Sequence, residues 1–226
     1  MKISVLGTGM AGRTLAGRLA DLGHQVAIGT RDPTVTMAVS DPDRFGNPSI
    51  AAWFEGHGNV ELATFADAAA DSEIVINATN GSGSLAALQA AGSANLKGKV
   101  LIDVANPLDF SRGFPPTLSV VDTDSLGEQI QREFPDALVV KTLNTTNAFV
   151  MVDPSAVAGG DHTIFICGND EGAKDAVRVL LESFGWRDIV DIGDISGARA
   201  CEMMMPMWLR LVGSVGGYAF NFKIAR

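Results

Sequence analysis

A glycine-rich turn near the amino terminus constrains the fold more than any other feature of this chain. The apolar run Lys2-Ile3-Ser4-Val5-Leu6 leads into a GxGxxG turn, and a helical pattern of leucines follows. In such a turn the first glycine permits the tight bend, the second lets the backbone approach a pyrophosphate, and the third lets the helix pack on the strand. The pyrophosphate binds the free N–H groups at the positive end of the helix dipole. The sequence therefore predicts a dinucleotide site formed by Gly7, Thr8, Gly9, Met10, Ala11 and Gly12.

The end of the second predicted strand indicates which dinucleotide is bound. In NAD-specific proteins an acidic residue about 20 positions after the glycine turn bonds the ribose 2′-hydroxyl. Here the strand 25–28 continues into Gly29 and places Thr30 at the tip, followed by Arg31. A hydroxyl followed by a permanently charged guanidinium suits a 2′-phosphate, so we expect Thr30 and Arg31 to select NADP(H). Asp32 keeps NAD as an alternative cofactor, because a register slip of two residues would place this carboxylate at the ribose. The other predicted role of Asp32 is to cap the segment that follows it.

Strand and helix patterns alternate along the chain, as in a doubly wound, mostly parallel α/β sheet. We predict further strands at 60–63, 74–78, 100–103, 138–141, 163–167 and 189–192. Helices are predicted at 51–55, 65–70, 85–91, 125–134, 171–184 and, last, 197–215. A chain of 226 residues can form one Rossmann-like domain (1–226), with a dinucleotide-binding core (1–148) and a small C-terminal αβ lobe (149–226).

Small polar residues follow the carboxyl ends of the predicted strands, where ligands bind in open α/β sheets. We expect Thr79 and Asn80 beside the nicotinamide half of the cofactor and Asn106-Pro107 facing its ring, although each could also serve as a turn or helix cap. None of these strand ends carries a histidine, a cysteine or a carboxylate pair, so no catalytic acid, base or nucleophile is assigned. Hydride transfer, which needs positioning more than a protein base, is the favoured chemistry.

Composition excludes several classes of partner. The net charge of -9 and the isoelectric point near 4.7 argue against nucleic acid and against anionic membrane surfaces. The two cysteines, Cys167 and Cys201, lack metal-ligand spacing, which predicts no metal site and a cytoplasmic location. The apolar stretch 203–222 is interrupted by Pro206 and Arg210 and is not predicted to span a membrane.

A methionine cluster lies in the last predicted helix, over 203–207. Polarizable methionine side chains suit a pocket for a flat aromatic ligand. A core or dimer interface fits better, because these side chains point around the whole helix. We therefore expect a homodimer.

Several segments together resemble the family of F420-dependent NADP oxidoreductases, to which the cytosolic reductase domain of the STEAP metalloreductases is also similar. They are 3–12, 29–31, 106–107, 141–145 and 198–202. The strongest marker is the Lys-x-x-Asn-Thr run that begins at Lys141. The resemblance implies hydride exchange between NADP(H) and coenzyme F420 or a flavin. It also implies that Asn144, Thr146 and Ala148 border the deazaflavin. The sequence has no obvious cationic cluster for the charged tail of such a coenzyme, and Lys141 and Arg199 are the candidates.

The acceptor is less sharply indicated than NADP(H). In archetypal members of this family, the segment that corresponds to Leu143-Asn144-Thr145 resembles Leu-His-Thr. The metalloreductase-like branch has Asn at the middle position, as this chain does. Two alternatives remain open. One is an NADPH-dependent reductase of a small organic substrate. Such enzymes have a long helical C-terminal half, whereas only one long helix is predicted after the last strand of this chain. The other is a non-catalytic NADP-binding module.

Overall fold

The computed structural model, which describes residues 1–42 and 46–226, places eight of its strands in one sheet and two in a separate ribbon. The eight strands of the sheet are β1 (Lys2–Leu6), β2 (Gln25–Thr30), β3 (Val60–Thr64), β4 (Ile74–Asn77), β5 (Val100–Asp103), β8 (Leu138–Thr142), β9 (Thr163–Gly168) and β10 (Asp188–Asp191). The ribbon is formed by β6 (Leu108–Asp109) and β7 (Thr117–Leu118).

The strand order is β10-β9-β8-β5-β4-β1-β2-β3. Every neighbouring pair is parallel except β8 and β9, which run antiparallel. The order reverses between β1 and β4, which makes this the switch point where ligands bind in doubly wound sheets. The prediction of a Rossmann-like, mostly parallel α/β fold is confirmed.

Helices cover both faces of the sheet. They are α1 (Met10–Asp21), α2 (Pro33–Met37), α3 (Ile50–Glu55), α4 (Phe65–Ala70), α5 (Ser84–Ala91), α6 (Ser93–Leu96), α7 (Leu126–Glu133), α8 (Ala148–Val152), α9 (Glu171–Phe184), α10 (Ala198–Met203) and α11 (Met205–Val215). None of the helices in the described part of the chain is long and apolar enough to cross a membrane.

Two apolar clusters, one on each face, hold the sheet between these helices. One cluster includes Leu15 and Leu19 of α1 with Val177 of α9. The other includes Leu88 of α5 and Ile130 of α7. Burying a side chain of this size contributes about 1.5–3 kcal/mol, so the two clusters fix both layers against the strands and hold the carboxyl ends of the strands together.

The final helix differs from its predicted form. The sequence predicts one helix over 197–215, and the structure has two, α10 and α11, which meet at Met204. Pro206 is in the first turn of α11. Proline has no N–H to donate to the carbonyl four residues earlier, here that of Glu202, and so it starts a helix well but does not continue one.

Candidate cofactor site

The glycine turn has the geometry that its three glycines predict. Gly7 has a φ of +122°, and a side chain there would lie 2.6 Å from the Ala78 carbonyl oxygen. A side chain at Gly12 would lie 2.0 Å from the Gly7 carbonyl oxygen. Gly9 is different, because nothing lies within 4 Å of the place its Cβ would take. Gly7 and Gly12 are thus required by packing, whereas Gly9 faces open space where a ligand can approach.

The first turn of α1 provides free backbone donors at this open space. Gly9 is the N-cap residue, and no side chain in the described part of the chain caps the helix. The first N–H groups of a helix have no partner within it, so those near Met10 and Ala11 are available to an anion. A pyrophosphate placed there also meets the positive end of the helix dipole.

The tip of β2 lies at Thr30, as the sequence predicts. Thr30 is the last residue of the strand, its hydroxyl lies 2.8 Å from that of Thr36, and Arg31 is exposed beside it. The Oδ1 atom of Asp32 accepts the N–H groups of Thr34 and Val35 at 2.8 and 3.1 Å. Asp32 is therefore the N-cap of α2, the second of its two predicted roles, whereas the charged group of Arg31 is exposed beside it.

The loops after β4 and β5 touch each other. A side chain at Gly81 would lie 2.0 Å from the Asn106 carbonyl oxygen, so the two loops approach backbone to backbone. Thr79 donates its hydroxyl to Asn77 Oδ1 at 2.6 Å, and Asn80 caps the short 3₁₀ turn that follows it. Thr79, Asn80, Asn106 and Pro107 thus lie together at the switch point.

The loop after β8 carries unusual polar residues. Leu143 has a φ of +61°, a left-handed conformation uncommon for a residue with a branched side chain. Among the described residues, no hydrogen-bond partner is present for the buried atoms Asn144 Oδ1, Thr145 Oγ1 and Thr146 Oγ1. An unsatisfied buried polar group costs about 1–3 kcal/mol. Three consecutive residues with such atoms form a candidate ligand-binding loop. Ala148, buried, begins α8 just beyond it.

Lys141 is not available to a charged ligand, and its prediction as a partner for the acceptor's tail is wrong. Its side chain is fully buried, with Nζ 2.8 Å from both Asp103 Oδ2 and Glu202 Oε1. Burial alone would lower the pKa of Lys141, but the two carboxylates outweigh it and raise the pKa. Glu202 also accepts the first N–H groups of α7, from Leu126 and Gly127.

Arg199 is engaged in the same region, which also argues against its predicted role. Its Nε and Nη2 atoms donate to the two carboxylate oxygens of Glu128 at 2.8 and 2.5 Å. This two-pronged contact lowers the pKa of Glu128. Arg199 therefore joins α10 to α7 and is not left over for a ligand.

An apolar cavity of about 780 Å³ opens beside the glycine turn, and sequence reasoning missed most of it. Its walls come from the start of α1, the β6–β7 ribbon, the start of α8, the middle of α11 and the segment after α11. The lining residues are Met10, Asn47, Leu108, Phe110, Gly113, Phe114, Pro116, Asn147, Phe149, Leu209, Val212 and Tyr218. Two of them, Asn147 and Phe149, flank Ala148, and Leu209 and Val212 of α11 follow Met207, the last residue of the methionine cluster, by two and five residues. No local signal marks the ribbon, because its strands are two residues long.

Two histidines and both cysteines lie in structural roles. His57 stacks on Trp53 with ring centroids 3.8 Å apart, and His162 is buried beside the Pro154 carbonyl. Both cysteines are buried free thiols. In the described ranges, 1–42 and 46–226, no group of three or more metal-binding side chains converges.

The switch-point site and the sheet order define a dinucleotide-binding protein of the Rossmann type. The sequence model for "NADP oxidoreductase coenzyme F420-dependent" matches residues 2–107. The chain is 31% identical over 215 residues to the F420-dependent NADP reductase of Methanothermobacter marburgensis, covering 93% of this chain and 92% of that protein. It is 29% identical over 233 residues to the rat metalloreductase STEAP3, covering 98% of this chain but only 41% of that longer protein.

A solved structure agrees with these sequence comparisons. The crystal structure of a protein from Arthrobacter sp. FB24, assigned as an F420-dependent NADP reductase, is 60% identical, with a TM-score of 0.97 and full coverage of both chains. The chain belongs to the family of F420-dependent NADP oxidoreductases, and the expected resemblance is confirmed. It is accordingly an NADP-dependent oxidoreductase.

Proposed function

We propose that the protein transfers a hydride between NADP(H) and coenzyme F420 or a flavin. The observation that carries this proposal is the apolar cavity of about 780 Å³ next to the glycine turn. A cofactor pocket is typically a concave, mostly apolar space of about 300–1,000 Å³. The family membership supports F420 as the acceptor, and the aromatic walls suit a flat ring.

The chain's own residues fit NADP(H). The N–H groups at Gly9, Met10 and Ala11 bind the pyrophosphate, and Arg31 with Thr30 holds the 2′-phosphate. Thr79, Asn80, Asn106 and Pro107 border the nicotinamide half. This assignment is supported by the open space at Gly9 and by the use of Asp32 as a helix cap.

The acceptor is held between this end of the sheet and the cavity wall. Asn144, Thr146 and Ala148 border it from the β8 side, and Phe149 and Leu209 line the space. The chemistry that the bound cofactors supply is NADPH + acceptor + H⁺ giving NADP⁺ and reduced acceptor. The protein's part is to align the two rings and keep water out, and alignment of this kind accounts for about 7–11 kcal/mol of barrier lowering in favourable cases.

A parallel assay tests the proposal. NADPH oxidation is followed with F420, FMN, FAD, a ferric chelate and a set of small carbonyl compounds, each at matched concentration. Turnover with F420 or a flavin is the expected result. Turnover only with a carbonyl compound would instead establish a reductase of small organic substrates. Tight NADPH binding without any turnover would leave a non-catalytic module.

We further propose that residues 1–226 act as one domain in a cytoplasmic homodimer that does not bind nucleic acid. The exposed methionines Met203 and Met207 support a paired surface on α10 and α11, and the free thiols support a reducing compartment. The net charge of -9 opposes nucleic acid. Light scattering after size exclusion tests the dimer, cell fractionation tests the location, a DNA-binding assay tests the absence of nucleic-acid binding, and a single unfolding transition is expected for one domain.

A further inference from the structure

A row of three buried polar side chains crosses the sheet beneath the proposed nicotinamide loops. Asn77, Asp103 and Lys141 are register partners on the adjacent strands β4, β5 and β8. Asn77 Nδ2 donates to Asp103 Oδ1 at 2.8 Å, and Lys141 Nζ donates to Asp103 Oδ2 at 2.8 Å. All three are fully buried. Each contact to the Asp103 carboxylate comes from a donor: the Asn77 amide, the Ala105 N–H and the Lys141 ammonium.

The row also forms hydrogen bonds with the loops that follow β4 and β5. Asn77 Oδ1 accepts hydrogen bonds from the Thr79 hydroxyl at 2.6 Å and from the Thr79 N–H at 3.3 Å. From Asp103, Oδ1 accepts the Ala105 N–H at 3.2 Å, while Lys141 Nζ donates to the Ala105 carbonyl at 2.5 Å. The peptide groups on both sides of Ala105 are thereby fixed by two buried charges of opposite sign.

The spacing between Lys141 and Asn144 fits this arrangement. Lys141 holds Ala105, and Asn144, three residues later, exchanges hydrogen bonds with the next residue, Asn106. The two ends of the Lys-x-x-Asn segment therefore hold consecutive residues of the β5 loop. That loop in turn supports the β4 loop through the close approach of Gly81 to Asn106.

A buried ion pair is weak evidence for stability, because the cost of removing two charges from water offsets their attraction, and apolar replacements are often as stable. A reason other than stability is therefore needed for Asp103 and Lys141. We propose that they are positioning residues for the nicotinamide half of NADP(H). They act through Ala105 and Thr79 and contact neither ring themselves. This inference rests on the proposed placement of the nicotinamide at these loops.

The physical requirement is accuracy of placement. Hydride transfer needs reacting atoms about 3–3.5 Å apart, and a misplacement of about 1 Å can cost about a hundredfold in rate. Loops alone do not give this accuracy, whereas residues locked by buried hydrogen bonds do. Through these hydrogen bonds the row fixes Thr79 and Ala105, which lie just beyond the strand ends, to the central strands β4, β5 and β8.

A fragment comparison tests the inference. Asp103→Asn keeps the size of the side chain but replaces one carboxylate oxygen with an amide NH₂ group. That donor then faces either the Lys141 ammonium or the Asn77 and Ala105 N–H groups, so one set of hydrogen bonds is lost. Dissociation constants are measured for NADPH and for adenosine 2′,5′-bisphosphate, which contains the phosphorylated adenosine and lacks the nicotinamide. We expect NADPH to bind about tenfold more weakly, the bisphosphate to bind unchanged, and kcat to fall about tenfold or more at saturating substrates.

Two further variants make the result interpretable. Asn77→Ala removes the Thr79 anchor while leaving Lys141 paired with both carboxylates, and it replaces Asp103→Asn if that variant does not fold. Lys174→Met is the matched control, since Lys174 is also buried between two carboxylates, Glu171 and Asp191, at 2.9 and 2.8 Å but in another part of the fold. The control is expected to leave both dissociation constants unchanged.

The positioning role would be overturned if the variants bound NADPH and the bisphosphate more weakly by the same factor. It would also be overturned if both dissociation constants and kcat stayed unchanged. Failure of the proposed function looks different, because the wild-type protein would then bind NADPH without turning over F420 or a flavin, or would bind no NADPH at all. A wild-type protein that binds both and turns over, beside variants that lose nothing, leaves the proposed function intact and removes only this inference.

Discussion

Asn106 and Asn144 join the ends of β5 and β8 by two reciprocal hydrogen bonds. Asn144 Nδ2 donates to Asn106 Oδ1 at 2.9 Å, and Asn106 Nδ2 donates to the Asn144 carbonyl at 2.8 Å. This pair closes one side of the switch point, between the loop proposed for the nicotinamide and the loop proposed for the acceptor.

Arg31→Ala tests the choice of NADP. Because Arg31 is the exposed charge left at the tip of β2, its loss should weaken NADPH binding by about 1.5–3 kcal/mol, the range for a hydrogen bond to a charged group. NADH binding should be almost unchanged. Titration calorimetry measures both, with the exposed Arg187 substituted by Ala as control. Equal affinity of the wild type for NADH and NADPH would remove the basis of the prediction.

The glycines of the turn should separate binding from folding. Gly9→Val should keep the fold and abolish dinucleotide binding, because its side chain would occupy the open space at the helix terminus. Gly12→Val should fail to fold normally, since its Cβ would lie 2.0 Å from a carbonyl oxygen. Circular dichroism and NADPH fluorescence titration distinguish the two. Undiminished NADPH affinity in Gly9→Val would show that this glycine has no role in binding.

A cavity-filling substitution should separate the acceptor from NADPH. Leu209 lines the cavity, so Leu209→Trp should lower turnover with F420 or a flavin severely at an unchanged NADPH dissociation constant. That pattern is expected when only the second ligand is excluded. Val179→Trp, on the exposed face of α9, is the control for added bulk. If Leu209→Trp retains full turnover, the acceptor binds elsewhere.

The Asp124–Arg132 pair gives a pH-dependent contribution to stability. Hydrogen bonds from Arg132 lower the pKa of Asp124 to about 2, from an ordinary value near 4. A lowered folded-state pKa stabilises the fold above the unfolded pKa, and this contribution is lost as the pH falls from about 4 to about 2.

Asp124→Asn should therefore reduce the free energy of unfolding at pH 7 by about 0.2–1 kcal/mol, the range for a largely exposed pair. The difference from wild type should shrink as the pH falls from about 5 towards 2. Urea unfolding at several pH values measures it, and a difference that stays constant with pH would contradict the assignment.

Local patterns of the sequence determined the fold class and one half of the proposed site. The glycine turn, the alternation of strands with helices and the tip of β2 each depend on residues close together in the chain. Their periodicity and turn chemistry therefore carry the information directly. The helix at Glu171–Phe184 has the bounds that the sequence predicts, because an Asp cap precedes it and a left-handed Gly185 ends it.

Only the tertiary structure decided the other half. Lys141 looks from the sequence like a strand-end cation that could meet a ligand, yet Asp103 and Glu202 neutralise it from 38 positions before and 61 positions after, within the packed interior. The cavity likewise takes its walls from Met10, Phe110, Phe149 and Leu209. Contacts between residues so distant along the chain leave no periodic signal, because they arise only when the sheet brings its strand ends to one edge.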